Sequence, residues 1–186
     1  MPEAAATALL ELDRVTKSFG RVVVADELSL AVGAGDIVGI VGPNGAGKTS
    51  LFGLISGDLA PTSGEIRFGG HAVTRLDPAA RCRLGIGRTY QVPRPFGEMT
   101  VFENVLVAVQ QGARLRRQAS YEKAAQVLER TGLAREANIA SERLGLLQRK
   151  RLEVARALAT GPRLILLDEV AGGLTDPEVA ELVQIV

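Results

Sequence analysis

The run Ile37-Val38-Gly39-Ile40-Val41-Gly42-Pro43-Asn44-Gly45-Ala46-Gly47-Lys48-Thr49-Ser50-Leu51 joins a short apolar stretch to a glycine-rich loop and then to a helical pattern. Ile37 to Val41 is apolar on both faces, the pattern of a central strand in a parallel sheet. Leu51, Leu54 and Ile55 follow at helical spacing. Gly42 to Thr49 satisfies G-x-x-x-x-G-K-[ST], and it stands between a strand pattern and a helix pattern, the context in which that motif binds phosphate. Its glycines let the backbone take positive φ and turn successive N–H groups inward at a helix N-terminus. Lys48 supplies a mobile cation for the β- and γ-phosphates of a nucleotide, and Thr49 a hydroxyl for Mg2+. The candidate phosphate-binding set is Gly42, Pro43, Asn44, Gly45, Ala46, Gly47, Lys48, Thr49 and Ser50.

Upstream of the loop, Leu9 to Val15 and Arg21 to Leu30 read as strands, from the β-branched run Val22-Val23-Val24 and the alternation at Leu28 and Leu30. Downstream, Gly57 to Gly64 reads as a loop, Glu65 to Phe68 as a strand, and Pro78 as the start of a short helix ending at Gly85. Thr100 with Glu103 makes a capping box, and Val101, Val105 and Val109 continue one apolar face, so a helix is expected from Thr100 to about Gln111. Further helices are expected from Ser120 to Arg130 and around Leu152 to Leu158. Arg163 to Leu167 then reads as a second strand buried on both faces. Asp176-Pro177-Glu178 opens a last helix, with Asp176 as its cap. The sequence stops at Val186 inside that helix pattern, and a truncated chain whose next strand is missing is expected.

Leu164-Ile165-Leu166-Leu167-Asp168-Glu169 is the second chemical signal: an apolar strand delivering two carboxylates at its C-terminal end, where ligands gather in open α/β sheets. Acids that end strands also occur as solvated loop residues, but the phosphate loop gives this pair a task. Asp168 would hold Mg2+ through water, and Glu169 would act as general base on the attacking water.

Composition narrows the field. A chain of 186 residues with 46% hydrophobic and 23% charged residues fits one soluble domain with a packed core. A net charge of +1 argues for neither a nucleic-acid nor a membrane-surface partner. The arginines at Arg81, Arg83, Arg88 and Arg94, at Arg114, Arg116 and Arg117, and from Arg143 to Arg151 read as solvated faces or partner contacts. Cys82 is the only cysteine, which excludes an intrachain disulfide and a thiolate zinc site, and the single His71 reads as a surface turn residue. Met1 to Leu10 is alanine-rich without the basic leader of a signal peptide. Nowhere do about 18 apolar residues run on, as a membrane-spanning helix needs. A reducing, cytoplasmic setting is expected. Aromatic content of 4% argues against stacking platforms for single-stranded nucleic acid.

Five spaced segments resemble those of ABC transporter ATPases in their order: Lys17-Ser18-Phe19-Gly20, the Gly42 to Thr49 loop, Gly87-Arg88-Thr89-Tyr90-Gln91, Leu144 to Arg156, and Asp168-Glu169 with Gly172-Gly173-Leu174. Gly85 to Gln91, Met99 to Val105 and Arg151 to Thr160 are similar, more narrowly, to the ATP-binding subunits of branched-chain amino acid importers. The resemblance runs from about Leu9 to the end. It implies a P-loop α/β fold with a central, mostly parallel sheet, an antiparallel β segment at the N-terminal end, and a helical segment at about residues 100–159, all in one ATP-binding domain over residues 1–186.

The resemblance also implies roles. Phe19 matches the aromatic that stacks on adenine, with an ordinary core or hairpin phenylalanine as the alternative. Gln91 matches the glutamine that reaches Mg2+ and the attacking water and links the site to the membrane subunit. Pro93 to Val105 matches the surface that receives a permease's coupling helix; Phe96 and Met99 there are either exposed anchors or buried packing. The implied protein binds MgATP and hydrolyses it in a head-to-tail dimer with a second ATPase subunit, bound to a permease on the inner face of the plasma membrane, with no nucleic-acid partner. Branched-chain amino acids or related small polar solutes are the implied cargo.

The sequence departs from the family at several places. Leu144-Gly145-Leu146-Leu147-Gln148 stands where the family reads Leu-Ser-Gly-Gly-Gln. By analogy with losing one oxyanion donor, that change costs roughly 3 to 4 kcal/mol at the nucleotide held by the partner subunit. Thr175 replaces the aspartate of the following loop, Val170 a proline, and the switch histidine falls past Val186. A nucleotide-binding module that does not hydrolyse is therefore a second reading. An ABC ATPase of DNA repair is a third, which the lack of sustained heptads or cysteine pairs after Gln91 disfavours.

Overall fold

Alternation of apolar residues in Leu10, Leu12, Ile66 and Phe68 builds the first sheet, because one face of each strand then points at a common core. A computed structural model describes residues 8–185; the first part of the alanine-rich N-terminus and Val186 lie outside them. The chain divides after Arg81 into two units.

In the first unit, strands β1 (Leu10–Phe19), β2 (Val22–Val32), β3 (Ser63–Phe68) and β4 (His71–Ala72) form an antiparallel sheet in the order β2-β1-β3-β4. Leu10 pairs with Val32 on one side and Phe68 on the other. The register slips between Leu12 and Val15, where Arg14 takes a left-handed φ of 43° and forms a bulge. Gly64 fits here because a Cβ on it would stand 2.3 Å from the Arg14 carbonyl oxygen. His71 is exposed beside the hairpin turn. Helix α1 (Lys48–Ser56) buries Leu54 and Ile55.

Two expectations fail in this unit. Ile37 to Val41 is not a strand: no strand among the described residues pairs with it, and Ile37 and Val41 are almost fully exposed. Apolar character on both faces shows what a segment needs as neighbours; it does not supply them. Arg81 is not on a solvated face either. It is 1% exposed, and its guanidinium donates to the carbonyls of Leu54 at 2.6 Å and Ile55 at 2.9 Å, satisfying the open C-terminal end of α1. Burial pulls its pKa below the usual arginine value, with Asp58 opposing.

Helix α2 (Pro78–Leu84) spans the division. The second unit continues with β5 (Ile86–Arg88), α3 (Val101–Ala108), a π-helical turn (Val109–Ala113), α4 (Arg117–Arg130), α5 (Leu146–Ala159), β6 (Leu164–Leu166) and α6 (Asp176–Val183). β5 and β6 are parallel, with Arg88 beside Leu166. Val101, Val105 and Val109 recur every four residues and pack with Val127, Leu128, Leu152 and Ala155 in one core. The helix expected to reach Gln111 ends at Ala108 and widens into the π turn, where Gly112 lies against Thr160: a Cβ there would meet the threonine Cβ at 2.6 Å. The Thr100 capping box is present, and α6 is capped by Thr175 with Glu178, one residue earlier than Asp176. Cys82 is half-buried, and burial raises its thiol pKa, so it stays protonated and a poor nucleophile.

Candidate functional site

The first unit carries the phosphate loop. Gly45 and Gly47 sit at φ of 84° and 87°, a backbone that only glycine adopts readily. Gly47 is required twice over, since a Cβ on it would lie 2.6 Å from the Val24 carbonyl oxygen. It is also the N-cap of α1 and supplies no side-chain cap, so the first-turn N–H groups of Lys48, Thr49 and Ser50 face outward from the helix start. Lys48 folds back over the loop, its Nζ donating to the carbonyls of Gly42 at 2.6 Å and Pro43 at 2.9 Å. Gly42, Pro43, Asn44, Gly45, Ala46 and Thr49 are exposed. The loop therefore presents one cation and a row of donors, which is the chemistry of an anion cradle.

Phe19, also in this unit, ends β1 opposite Val22 with half its surface exposed, and Lys17 Nζ lies 4.8 Å from its ring centroid. It is a hairpin-end aromatic, not a core residue.

In the second unit, the segment after β5 and the segment after β6 run side by side and meet residue by residue. Arg88 Nη2 lies 3.2 Å from Asp168 Oδ2, with the side chains 9% and 3% exposed. The Asp168 N–H donates to Thr89 Oγ1 at 3.2 Å. Gln91 Nε2 donates to Glu169 Oε2 at 2.7 Å, and this orientation is fixed because a carboxylate can only accept. Glu169 is exposed and stands at φ 48°, a left-handed conformation that costs a non-glycine residue roughly 1–3 kcal/mol. Lys150, 5% exposed on α5, donates to the main-chain carbonyls of both Gln91 and Glu169.

Three of these residues were not singled out from the sequence. Arg88 belongs to a cluster read as solvated faces or partner contacts, yet it is an inward ion-pair partner. A three-residue strand broken by Gly87 gave no alternation to show which way Arg88 points. Thr89 is fully buried; it lies inside the Gly87 to Gln91 segment, but nothing in that segment assigns it a role. Lys150 lay in the Arg143 to Arg151 run; its spacing from Val154 and Ala157, both buried, was the signal that it faces inward.

Phe96 and Met99 are exposed, so neither is buried packing. They project from a loop held below by buried Asn104, whose side chain accepts from the Phe96 N–H at 2.8 Å and donates to the Thr100 carbonyl at 3.0 Å. Leu144 is buried, while Leu146 is exposed and already opens α5. Gly145 is the N-cap of that helix and provides no side-chain acceptor, so the serine hydroxyl absent from this position leaves the helix start uncapped.

Comparison with known proteins gives consistent results. The family model described as ABC transporter matches residues 25–172. The chain is 35% identical to the high-affinity branched-chain amino acid transport ATP-binding protein LivG of Salmonella typhimurium, over 96% of this chain and 75% of that protein. It is 36% identical to the corresponding BraF of Pseudomonas aeruginosa, over 94% and 74%. The solved ADP conformation of an ATP-binding cassette of an ABC transporter superposes with a TM-score of 0.84 at 30% identity, covering 96% of this chain and 75% of that one.

Proposed function

The chain belongs to the ABC transporter family as an ATP-binding, ATP-hydrolysing component, and on that premise we propose that it powers import of branched-chain amino acids or related small polar solutes. In this reading it works as a head-to-tail dimer with a second ATPase subunit, seated on a permease at the cytoplasmic face of the membrane, without nucleic acid. The cargo rests on the likeness to the two importer subunits. No helix among the described residues is long and apolar enough to cross a membrane.

The observation that carries the nucleotide reading is the loop with left-handed Gly45 and Gly47 running into α1 and Lys48 folded across it. Lys48 and the loop amides hold and orient the β- and γ-phosphates. Phe19, with its exposed ring, stacks on the base. Thr49, Asp168 and Gln91 offer oxygen donors of the kind Mg2+ takes. Gln91 fits this role because its Nε2 is turned to Glu169, which leaves Oε1 as the atom for the metal. Arg88 already neutralises Asp168, which suits a hold on Mg2+ through water. The metal, when bound, offsets charge developing on the phosphate oxygens. Glu169 takes the proton of the attacking water while Gln91 fixes its carboxylate.

The direct test is nucleotide titration. Lys48→Ala lowers affinity for a fluorescent ATP analogue by an order of magnitude or more, about 1.4 kcal/mol per tenfold. Unchanged affinity overturns the reading. Leucine-driven phosphate release from vesicles carrying the chain with its permease, partner subunit and binding protein tests the cargo.

A further inference from the structure

A buried ammonium underlies the carboxylate pair. Lys150 is 5% exposed, and among the described residues its Nζ makes hydrogen bonds to main-chain carbonyls alone, Gln91 O at 3.2 Å and Glu169 O at 3.4 Å. Burying a cation is costly unless its donors are matched, so a lysine here is held by what it bonds. What it bonds is specific. The two carbonyls belong to the two residues whose side chains are themselves joined by the 2.7 Å hydrogen bond from Gln91 Nε2 to Glu169 Oε2. Lys150, Gln91 and Glu169 thus close a ring, main chain on one side and side chains on the other.

A second observation points the same way. Glu169 stands at φ 48°, and a non-glycine residue stays in that region only when its surroundings over-determine it. Its carbonyl accepts from the Gly172 N–H at 3.0 Å and from Lys150. The Gly172 bond is local and turns with the chain. Lys150 is the anchor from another element, and it sits on α5 two residues after Gln148, the end of the Leu144 to Gln148 segment.

We propose that Lys150 is a positioning residue that holds the strained main chain of Glu169 in register with Gln91 and ties both to the first turns of α5. Buried and bonded to main-chain carbonyls, it acts through the aim of the Glu169 carboxylate. The proposal rests on Glu169 being the general base.

The test compares Lys150→Met, which keeps the stem and removes the donors, with Lys150→Arg, which keeps a cationic donor, in the full chain. Lys150→Met lowers kcat for phosphate release by about tenfold or more, with KM and the affinity for a fluorescent ATP analogue within about twofold. Lys150→Arg restores most of the rate. Amide exchange quickens in Lys150→Met at residues 90–92 and 169–172 and stays unchanged at 152–159. Wild-type kcat in Lys150→Met overturns the proposal, and so does a loss that Arg does not rescue and that comes with faster exchange along α5. If Lys150→Met fails to fold, Lys150→Leu, which also lacks donors and is smaller, carries the same comparison. Wild-type phosphate release by Glu169→Gln in the dimer with the partner subunit defeats the general-base reading instead, and the exchange measurement still decides the role of Lys150.

Discussion

Arg88 and Asp168 form an ion pair at 3.2 Å in which both side chains are buried, across the parallel pair β5 and β6. Removing one member takes from the other its ion-pair partner at a position where both side chains are buried. Arg88→Ala therefore lowers stability by about 3 kcal/mol, read as a fall in the urea midpoint at constant m-value. Pairing it with Asp168→Asn recovers part of that loss, because the second change removes the stranded charge. A double-mutant cycle with no coupling defeats the argument.

Glu169→Gln keeps the size of the side chain and removes the base. Phosphate release falls by roughly 10² or more, while affinity for ATP stays near that of the parent. The same substitution replaces a charged acceptor with a neutral one opposite Gln91 Nε2, so the Gln91→Ala change costs less in the Glu169→Gln background than in the parent. Single-turnover phosphate release measures both.

Much of this was legible because the informative residues act through neighbours close in sequence. The glycine loop, the Thr100 capping box and the Val101, Val105, Val109 face each state their structure within a few residues. The Asp168-Glu169 pair was legible for the same reason, as the end of an apolar run. What was hidden depends on distant partners. Arg88 and Asp168 are eighty positions apart, and nothing near Arg88 shows that it turns inward. Ile37 to Val41 reads as a buried strand, yet no strand among the described residues pairs with it. The π turn at Val109–Ala113 departs from a continuous helix where Gly112 meets Thr160, a contact made in space rather than along the chain.

The capping boxes carry a pH dependence. Glu103 is held below the ordinary carboxylate range first by the Thr100 main-chain N–H and then by the Thr100 hydroxyl, and Glu178 likewise by Thr175. A lowered folded pKa means that the unfolded chain binds the proton more readily. The stabilisation is full above the ordinary glutamate range and is lost as pH falls through the depressed folded value. Thermal melts of the parent and of Glu103→Gln therefore differ at neutral pH and converge on acidification. A constant difference across that window contradicts the linkage. Thr100→Ala, which removes the cap itself, costs about 1 kcal/mol at neutral pH.

Gly112 tests the packing of the π turn. An added Cβ meets Thr160 Cβ at 2.6 Å and Cγ2 at 2.7 Å, so either the turn or the end of α5 has to move. Gly112→Ala destabilises the chain by about 1–3 kcal/mol through overpacking. Thr160→Ala in the same chain removes Cγ2, one of the clashing carbons, while Cβ stays, and so restores only part of that loss; Thr160 also gives up the hydrogen bond from its hydroxyl to the Ala157 carbonyl. Equal stability of Gly112→Ala and the parent shows that the turn is free to shift.

The exposed apolar run at Ile37, Val38 and Val41 has the composition of a strand with no ladder partner among the described residues. An exposed apolar segment of that composition can pair its main chain with the same segment of another copy. The isolated chain should then self-associate with rising concentration, and the amides of residues 37–41 should exchange far faster than those of β1. Val38→Lys and Val41→Lys place charge on that segment and weaken association without touching the Gly42 to Thr49 loop. Sedimentation velocity over a concentration series separates the outcomes. A chain that stays monomeric throughout, or lysine variants that associate as readily as the parent, show that this segment is not what holds copies together.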